Sequence, residues 1–131
     1  MNAALPSHLL PRIEQRQVPD ALIEALKQRF GQACSTAMVV REQHGRDESS
    51  FDAPPPAAVV FAQSTADVAD AVALAAQHEV PVIPFGVGSS LEGHLLAVQG
   101  GISIDLGRMN KVLAINAEDL TVTVQAGVTR K

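Results

Sequence analysis

Residues 84–94, PFGVGSSLEGH, place three glycines and two serines in eleven positions, directly after an apolar run. Gly86 and Gly88 can enter φ > 0 without the Cβ clash that other residues meet. Consecutive N–H groups turned to one side form a concavity that binds anions, a nest. The hydroxyls of Ser89 and Ser90 add donors. No cationic side chain lies between Phe85 and Gly93, so an anion held here is held by oriented main-chain dipoles. Two better-known phosphate loops do not fit. A Walker loop needs Lys and then Ser or Thr after its last glycine, whereas Gly93 is followed by His94 and Leu95. The dinucleotide fingerprint needs glycine at 86, 88 and 91, but position 91 is Leu and no long amphipathic helix follows. The residue types alone leave two readings open: a nest for an anion, or a surface loop between two strands.

Other chemically capable residues are scattered. The stretch HGRDES (44–49) offers His44, Asp47 and Glu48, the types that build a metal or acid–base centre. The sequence supplies no partner at fixed geometry, so they read as a structural loop. His94 reads as a solvated loop histidine. Arg108 and Lys111 read as turn-capping or solvated. Cys34, the single cysteine, reads as a small buried side chain. One cysteine cannot make an internal disulfide framework, which fits a reducing compartment and a cytoplasmic chain.

The elements that position these residues follow from periodicity. PDALIEALKQRFG reads as a helix with Asp20 as N-cap, an apolar face of Leu22, Ile23, Leu26 and Phe30, and Gly31 as its stop. Residues 41–56, ending in three prolines, read as an exposed polar connection. AAVVFAQ is a short buried strand. STADVADAVALAAQHE is an amphipathic helix with Ser64 and Asp67 as a capping box and Val68, Val72, Ala75 and Ala76 on one face. VPVIPF is a second buried strand, with Pro81 and Pro84 near its ends. Strand, helix, strand makes a βαβ unit with parallel strands. Next, Ile102, Ile104 and Leu106 alternate with Ser103 and Asp105, which predicts a strand with one wet face. A hairpin follows, with arms Val112–Ile115 and Leu120–Val124 around a turn at Asn116–Asp119. The fold class is therefore α+β, a parallel βαβ unit followed by antiparallel strands. The divisions expected are a helical segment at 1–40, the Pro-rich connection at 41–56 and the main domain at 57–131.

Composition excludes several function classes. With 131 residues and 47% apolar content the chain can build one aliphatic core; it has four Phe and no Trp or Tyr. Net charge is −4, and no Lys or Arg occurs from Asp47 to Gly107. Nucleic-acid binding needs a basic face, so that partner is set aside. No apolar run approaches the ~20 residues of a membrane span. Pro6, His8, Pro11 and Arg12 break any secretory signal pattern.

PVIPFGVGSSLEG (81–93), VQGGISIDLGRMNKVLAIN (98–116) and LTVTVQAGVTRK (120–131) resemble the N-terminal FAD-binding subdomain of the vanillyl-alcohol oxidase / p-cresol methylhydroxylase flavoprotein family. HGRDES and AVVFAQSTADV (58–68) make the chain most similar to its FAD-dependent, cytochrome-linked D-lactate dehydrogenases and to glycolate oxidase flavoprotein subunits. The resemblance covers residues 38–131. It implies that Phe85, Gly86, Val87, Gly88, Ser89, Ser90 and Gly93 wrap the FAD diphosphate, and that Gly127 and Val128 lie near the flavin. Some relatives attach FAD through a loop histidine. Ser89 takes that place here, so the resemblance implies non-covalent FAD. It further implies an oxidoreductase that converts D-lactate or a related D-2-hydroxy acid to the 2-oxo acid and passes electrons to a cytochrome or quinone, in contact with the membrane only through that acceptor. Family members are several hundred residues long. The chain is thus expected to be the first part of the FAD-binding domain, incomplete at its C-terminus, inactive alone, and completed by a C-terminal partner fragment. The alternative is a non-catalytic nucleotide- or anion-binding module.

Overall fold

The structure, a computed structural model, describes residues 15–130. Pro6, His8, Pro11 and Arg12, and Lys131 at the other end, lie outside the described residues. Helix α1 is Asp20–Phe30. Its cap is Pro19 rather than Asp20: the Pro19 carbonyl accepts from Leu22 and Ile23 N–H, and Asp20 becomes the first helical residue, where its charge suits the helix N-terminus. Gly31 ends the helix at φ 55°. The predicted face is the real one, with Leu22 and Leu26 fully buried and Ile23 and Phe30 packed beside them. A 3₁₀ turn, Gly31–Ala33, leads to strand β1, Cys34–Ser35. Cys34 is free and buried, as expected.

The polar connection is not wholly exposed. Met38–His44 form helix α2, His44 and Gly45 are buried, and Pro56 is fully buried. Strand β2 is Ala58–Phe61, helix α3 is Thr65–Gln77 and strand β3 is Val82–Phe85. The capping box is present in a shifted form. Ser64 Oγ accepts from Asp67 N at 3.1 Å, while Asp67 Oδ2 accepts from Gln63 N, one residue before the cap, at 3.0 Å. The buried face of α3 also differs from the expected one. Ala71 and Ala75 are buried and Val68 and Leu74 pack beside them, whereas Val72 and Ala76 are exposed. The helix is so rich in alanine that several neighbouring stripes have nearly equal apolarity, and the side packed against α1 decides between them. Arg29 of α1 fastens the two helices through Asp70 at 2.7 Å and Asp67 at 3.1 Å.

Strand β4, Ile102–Asp105, completes a four-stranded sheet of order β1-β2-β4-β3. The βαβ strands β2 and β3 are parallel as predicted, but they are not neighbours, because β4 lies between them and pairs in parallel with both. This corrects the wet face expected for β4. A central strand is covered on both sides, so Ser103 is fully buried and Asp105 largely so. One side, with Ala58, Val60, Ile102 and Ile104, packs on α1 and α3 and forms the core. Strand β3 is at the sheet edge, where Pro84 is tolerated.

Strands β5, Val112–Asn116, and β6, Thr121–Val124, form a separate antiparallel hairpin. Leu120 belongs to its turn, not to its arm, with φ 53° and almost complete exposure. Every residue of both arms is exposed.

Candidate functional site

Strands β2, β4 and β3 end level with one another: Phe61 pairs with Asp105, and Asp105 with Phe85. In open α/β sheets, ligands bind beyond the carboxyl ends of the strands. The glycine loop leaves β3 at that edge. Its carbonyl root is held, since Leu106 N–H donates to Phe85 O at 2.9 Å. Beyond it, the N–H groups of Gly86 to Leu91 donate to no group among the described residues. They are not consumed by strand pairing, and the loop around them is exposed or half-buried.

The three loop glycines differ. Gly88 has φ 74° and Gly93 has φ 78°, so both need the left-handed region. A Cβ at Gly88 would also lie 3.1 Å from Phe85 Cζ. Gly86 does not use that region, contrary to one of the two positions expected, and a Cβ there would meet nothing within 4 Å. Neither the conformation nor the packing of the protein requires glycine at 86. A glycine facing open space beside unpaired N–H groups fits a cradle in which a diphosphate approaches the backbone.

The far half of the loop is tied to HGRDES. Glu48 N–H donates to Ser90 O at 2.9 Å. Asp47 Oδ1 accepts from Ser49 Oγ at 2.5 Å and from Ser49 N at 3.0 Å. Its Oδ2 is shielded from solvent without a close hydrogen bond of its own. The Ser49 hydroxyl holds the Asp47 carboxyl below the usual carboxylate range, against partial desolvation and aided by the N–H groups of Ser49, Gly93 and Leu95. Glu92 N–H donates to Ser90 Oγ at 3.4 Å, and Leu96 N–H donates to Gly93 O at 3.2 Å. Ser90 Oγ and His94 Nδ1 are 3.0 Å apart, an internal bond for both side chains.

Beneath the loop lies a pair that sequence reading missed. His44 Nδ1 is 2.8 Å from Val40 O, and Nε2 is 2.8 Å from Asp105 Oδ2. Each ring nitrogen thus faces an oxygen, one of the main chain and one of a carboxyl group. Asp105 Oδ1 accepts from Gly107 N at 2.7 Å. The His44 ring lies 4.3 Å from the Phe85 ring and 5.5 Å, edge-on, from that of Phe61. Asp105 is thus not the wet face of its strand, and His44 is not in an open loop. Arg108 is exposed, as expected, with its guanidinium 4.7 Å above the Phe61 ring. Among the described residues no cluster of three or more His, Cys, Asp or Glu could hold a metal.

The loop meets the C-terminal candidates across a cleft of about 480 Å³ lined by Val87, Gly107, Asn110, Gly127, Val128 and others. This brings Val87 together with Gly127 and Val128, which are forty residues away in sequence. Phe85 is not in that lining; its ring supports Gly88 from below. Gly127 has a packing reason to be glycine, since a Cβ would collide with Leu106 O, and its N–H donates to Met109 O at 2.9 Å. Among the described residues no titratable side chain lines the cleft.

Residues 56–131 match the family described as FAD binding domain. The chain is 45% identical over 97 residues to the Danio rerio protein named "Probable D-lactate dehydrogenase, mitochondrial", covering 74% of this chain and 20% of the relative. It is 36% identical over 117 residues to "D-lactate dehydrogenase [cytochrome], mitochondrial" of Arabidopsis thaliana, covering 88% and 21%. Its fold is similar to that of a p-cresol methylhydroxylase structure with substrate bound, at TM-score 0.68 and 23% identity over 84% of this chain and 22% of the other. The chain spans about a fifth of the length of the curated relatives it matches.

Proposed function

Since the chain belongs to the FAD binding domain family, we propose that its glycine loop is the diphosphate half of a non-covalent FAD site in an oxidoreductase of D-2-hydroxy acids. One observation carries this reading: six consecutive N–H groups, Gly86 to Leu91, are unclaimed by described groups at the carboxyl edge of the sheet. Gly86, Val87, Gly88, Ser89 and Ser90 bind the diphosphate through main-chain donors, with the Ser89 hydroxyl in reserve. Phe85 is the floor on which Gly88 rests. Gly93 closes the loop, and Gly127 and Val128 form the opposite wall of the cleft. FAD supplies the two-electron acceptor when bound.

The substrate class, D-lactate or a related D-2-hydroxy acid oxidised to the 2-oxo acid, is proposed from the relatives' names, as is transfer of electrons onward to a cytochrome or quinone. Oxidation of a hydroxy acid also needs a base for the hydroxyl proton and cationic groups for the carboxylate. Among the described residues the cleft has no titratable side chain in its lining, so these residues alone bind and do not turn over substrate. The groups that complete the reaction come from polypeptide outside this chain, as a continuation or as a C-terminal partner fragment. The exposed apolar residues of the hairpin, Val112, Leu113, Ile115 and Val122, suit such a contact. Among the described residues no helix is long and apolar enough to cross a membrane. A cytoplasmic location, with membrane contact only through the electron acceptor, is part of this proposal and is read out by fractionating cells that express the chain.

Calorimetric titration of the full chain with FAD and with riboflavin tests the binding role. Riboflavin has the ring but lacks the diphosphate. FAD binding at least tenfold tighter than riboflavin is expected. Equal affinity, or none for either, would remove the loop from the function.

A further inference from the structure

His44 ends α2 as a buried ring enclosed by four groups. Nδ1 lies 2.8 Å from Val40 O, one turn back on the same helix, and Nε2 lies 2.8 Å from Asp105 Oδ2 at the end of β4. The Phe61 ring meets it edge-on at 5.5 Å, and the Phe85 ring lies tilted against it at 4.3 Å. Phe85 in turn points the end of its ring at the glycine loop. A Cβ at Gly88 would be 3.1 Å from its Cζ, 3.6 Å from Cε2 and 3.9 Å from Cε1. In the other direction, Asp105 Oδ1 accepts from Gly107 N at 2.7 Å. Gly107 lines the same cleft as Val87 of the loop. Contacts therefore run without a break from Gly107 through Asp105, His44 and Phe85 to Gly88, from one wall of the cleft to the other.

We propose that His44 is a positioning residue for the glycine loop. Turning its ring would break a hydrogen bond at each nitrogen and leave buried oxygens without partners, a costly change. The ring is therefore fixed, and it fixes Phe85, whose tip leaves room only for glycine at 88. A side chain that merely filled this space would need no nitrogen, yet both nitrogens of His44 are engaged.

The loop depends on this support because it has few other ties. Among the described residues the N–H groups of Gly86 to Leu91 donate to nothing, and the backbone of that stretch is held only where Ser90 O accepts from Glu48 N–H. A segment so lightly bonded opens easily unless side chains hold it. A loop ordered in advance binds a diphosphate without first losing its own conformational freedom. Loop order stands on contacts within the protein; only its effect on cofactor affinity rests on the FAD reading above.

Backbone ¹⁵N relaxation of the full, ligand-free chain tests the proposal, with two variants compared with wild type. His44→Gln keeps a side-chain N–H for Asp105 and loses the ring; His44→Phe keeps a ring and loses both nitrogens. Order parameters at 86–91 are expected near the rigid value of about 0.85 in wild type and below about 0.6 in both variants, with α1 and α3 unchanged. FAD affinity, read by flavin fluorescence, is expected to fall about tenfold. Wild-type order at 86–91 in either folded variant would overturn the proposal, as would a loss of order in α1 and α3 equal to that in the loop. Should neither variant fold, Phe85→Leu decides: loosening confined to the loop supports the proposal and wild-type order overturns it. A loop that loosens as expected in a chain whose wild type has no affinity for FAD would refute the flavin reading and leave the positioning role intact.

Discussion

The two halves of the glycine loop differ in what their amides do. From Gly86 to Leu91 the N–H groups have no described partner. The following stretch is tied down from within: Glu92 N–H donates to Ser90 Oγ, Leu96 N–H to Gly93 O, and Ser90 O accepts from Glu48 N–H. The second half is held by the protein's own groups, while the first keeps its donors unclaimed. The difference teaches that a nest is recognised by which donors the fold leaves unclaimed, rather than by the number of glycines.

Substitutions that act on one half and spare the other test this contrast. The largest effect is expected at Gly88. A valine there meets both the left-handed backbone and the Phe85 ring, so Gly88→Val should lower FAD affinity on the order of a hundredfold, as measured by fluorescence titration. Next is the support under the loop. His44→Ala strands Asp105 against the buried edge and should destabilise the fold by about 2–4 kcal/mol, visible in urea unfolding. Gly86→Ala separates ligand from fold. The added methyl meets no protein atom, so stability should be unchanged while FAD affinity drops roughly tenfold through lost close approach. The smallest effect belongs outside the loop. Ser64→Ala removes the α3 cap and should cost about 1 kcal/mol with FAD affinity unaltered, which makes it the control for loss of stability alone.

Local signals in the sequence were readable where neighbours in sequence are also neighbours in space. The Ser64 cap, the Gly31 stop, the apolar face of α1 and the strands β2 and β3 all fall in this class. Long-range order was not. His44 and Asp105 are 61 positions apart, and nothing in either neighbourhood marks the other. A clue was available in the sequence: a lone acid in an otherwise apolar strand implies a partner if the strand is central. Strand position itself depends on β4 inserting between β2 and β3, which alternation cannot report. For the same reason Ser103 read as wet and is fully buried. The hairpin presents the converse case. Val112, Ile115 and Val122 are as apolar as Val59 and Ile102, yet they stay exposed because no described layer covers them. At the loop, residue types identified a segment able to hold an anion, but which of its amides the fold leaves unclaimed depends on the path of the loop beyond β3.

The most direct measurement is an amide-resolved NMR titration of the ¹⁵N-labelled full chain with FAD, repeated with ADP as a diphosphate lacking the flavin. The account predicts that both ligands shift the amides of Gly86 to Leu91 and leave those of α1 and α3 nearly in place. Bound FAD with Gly86 to Leu91 unmoved, or with its largest shifts in α1 or α3, would contradict it.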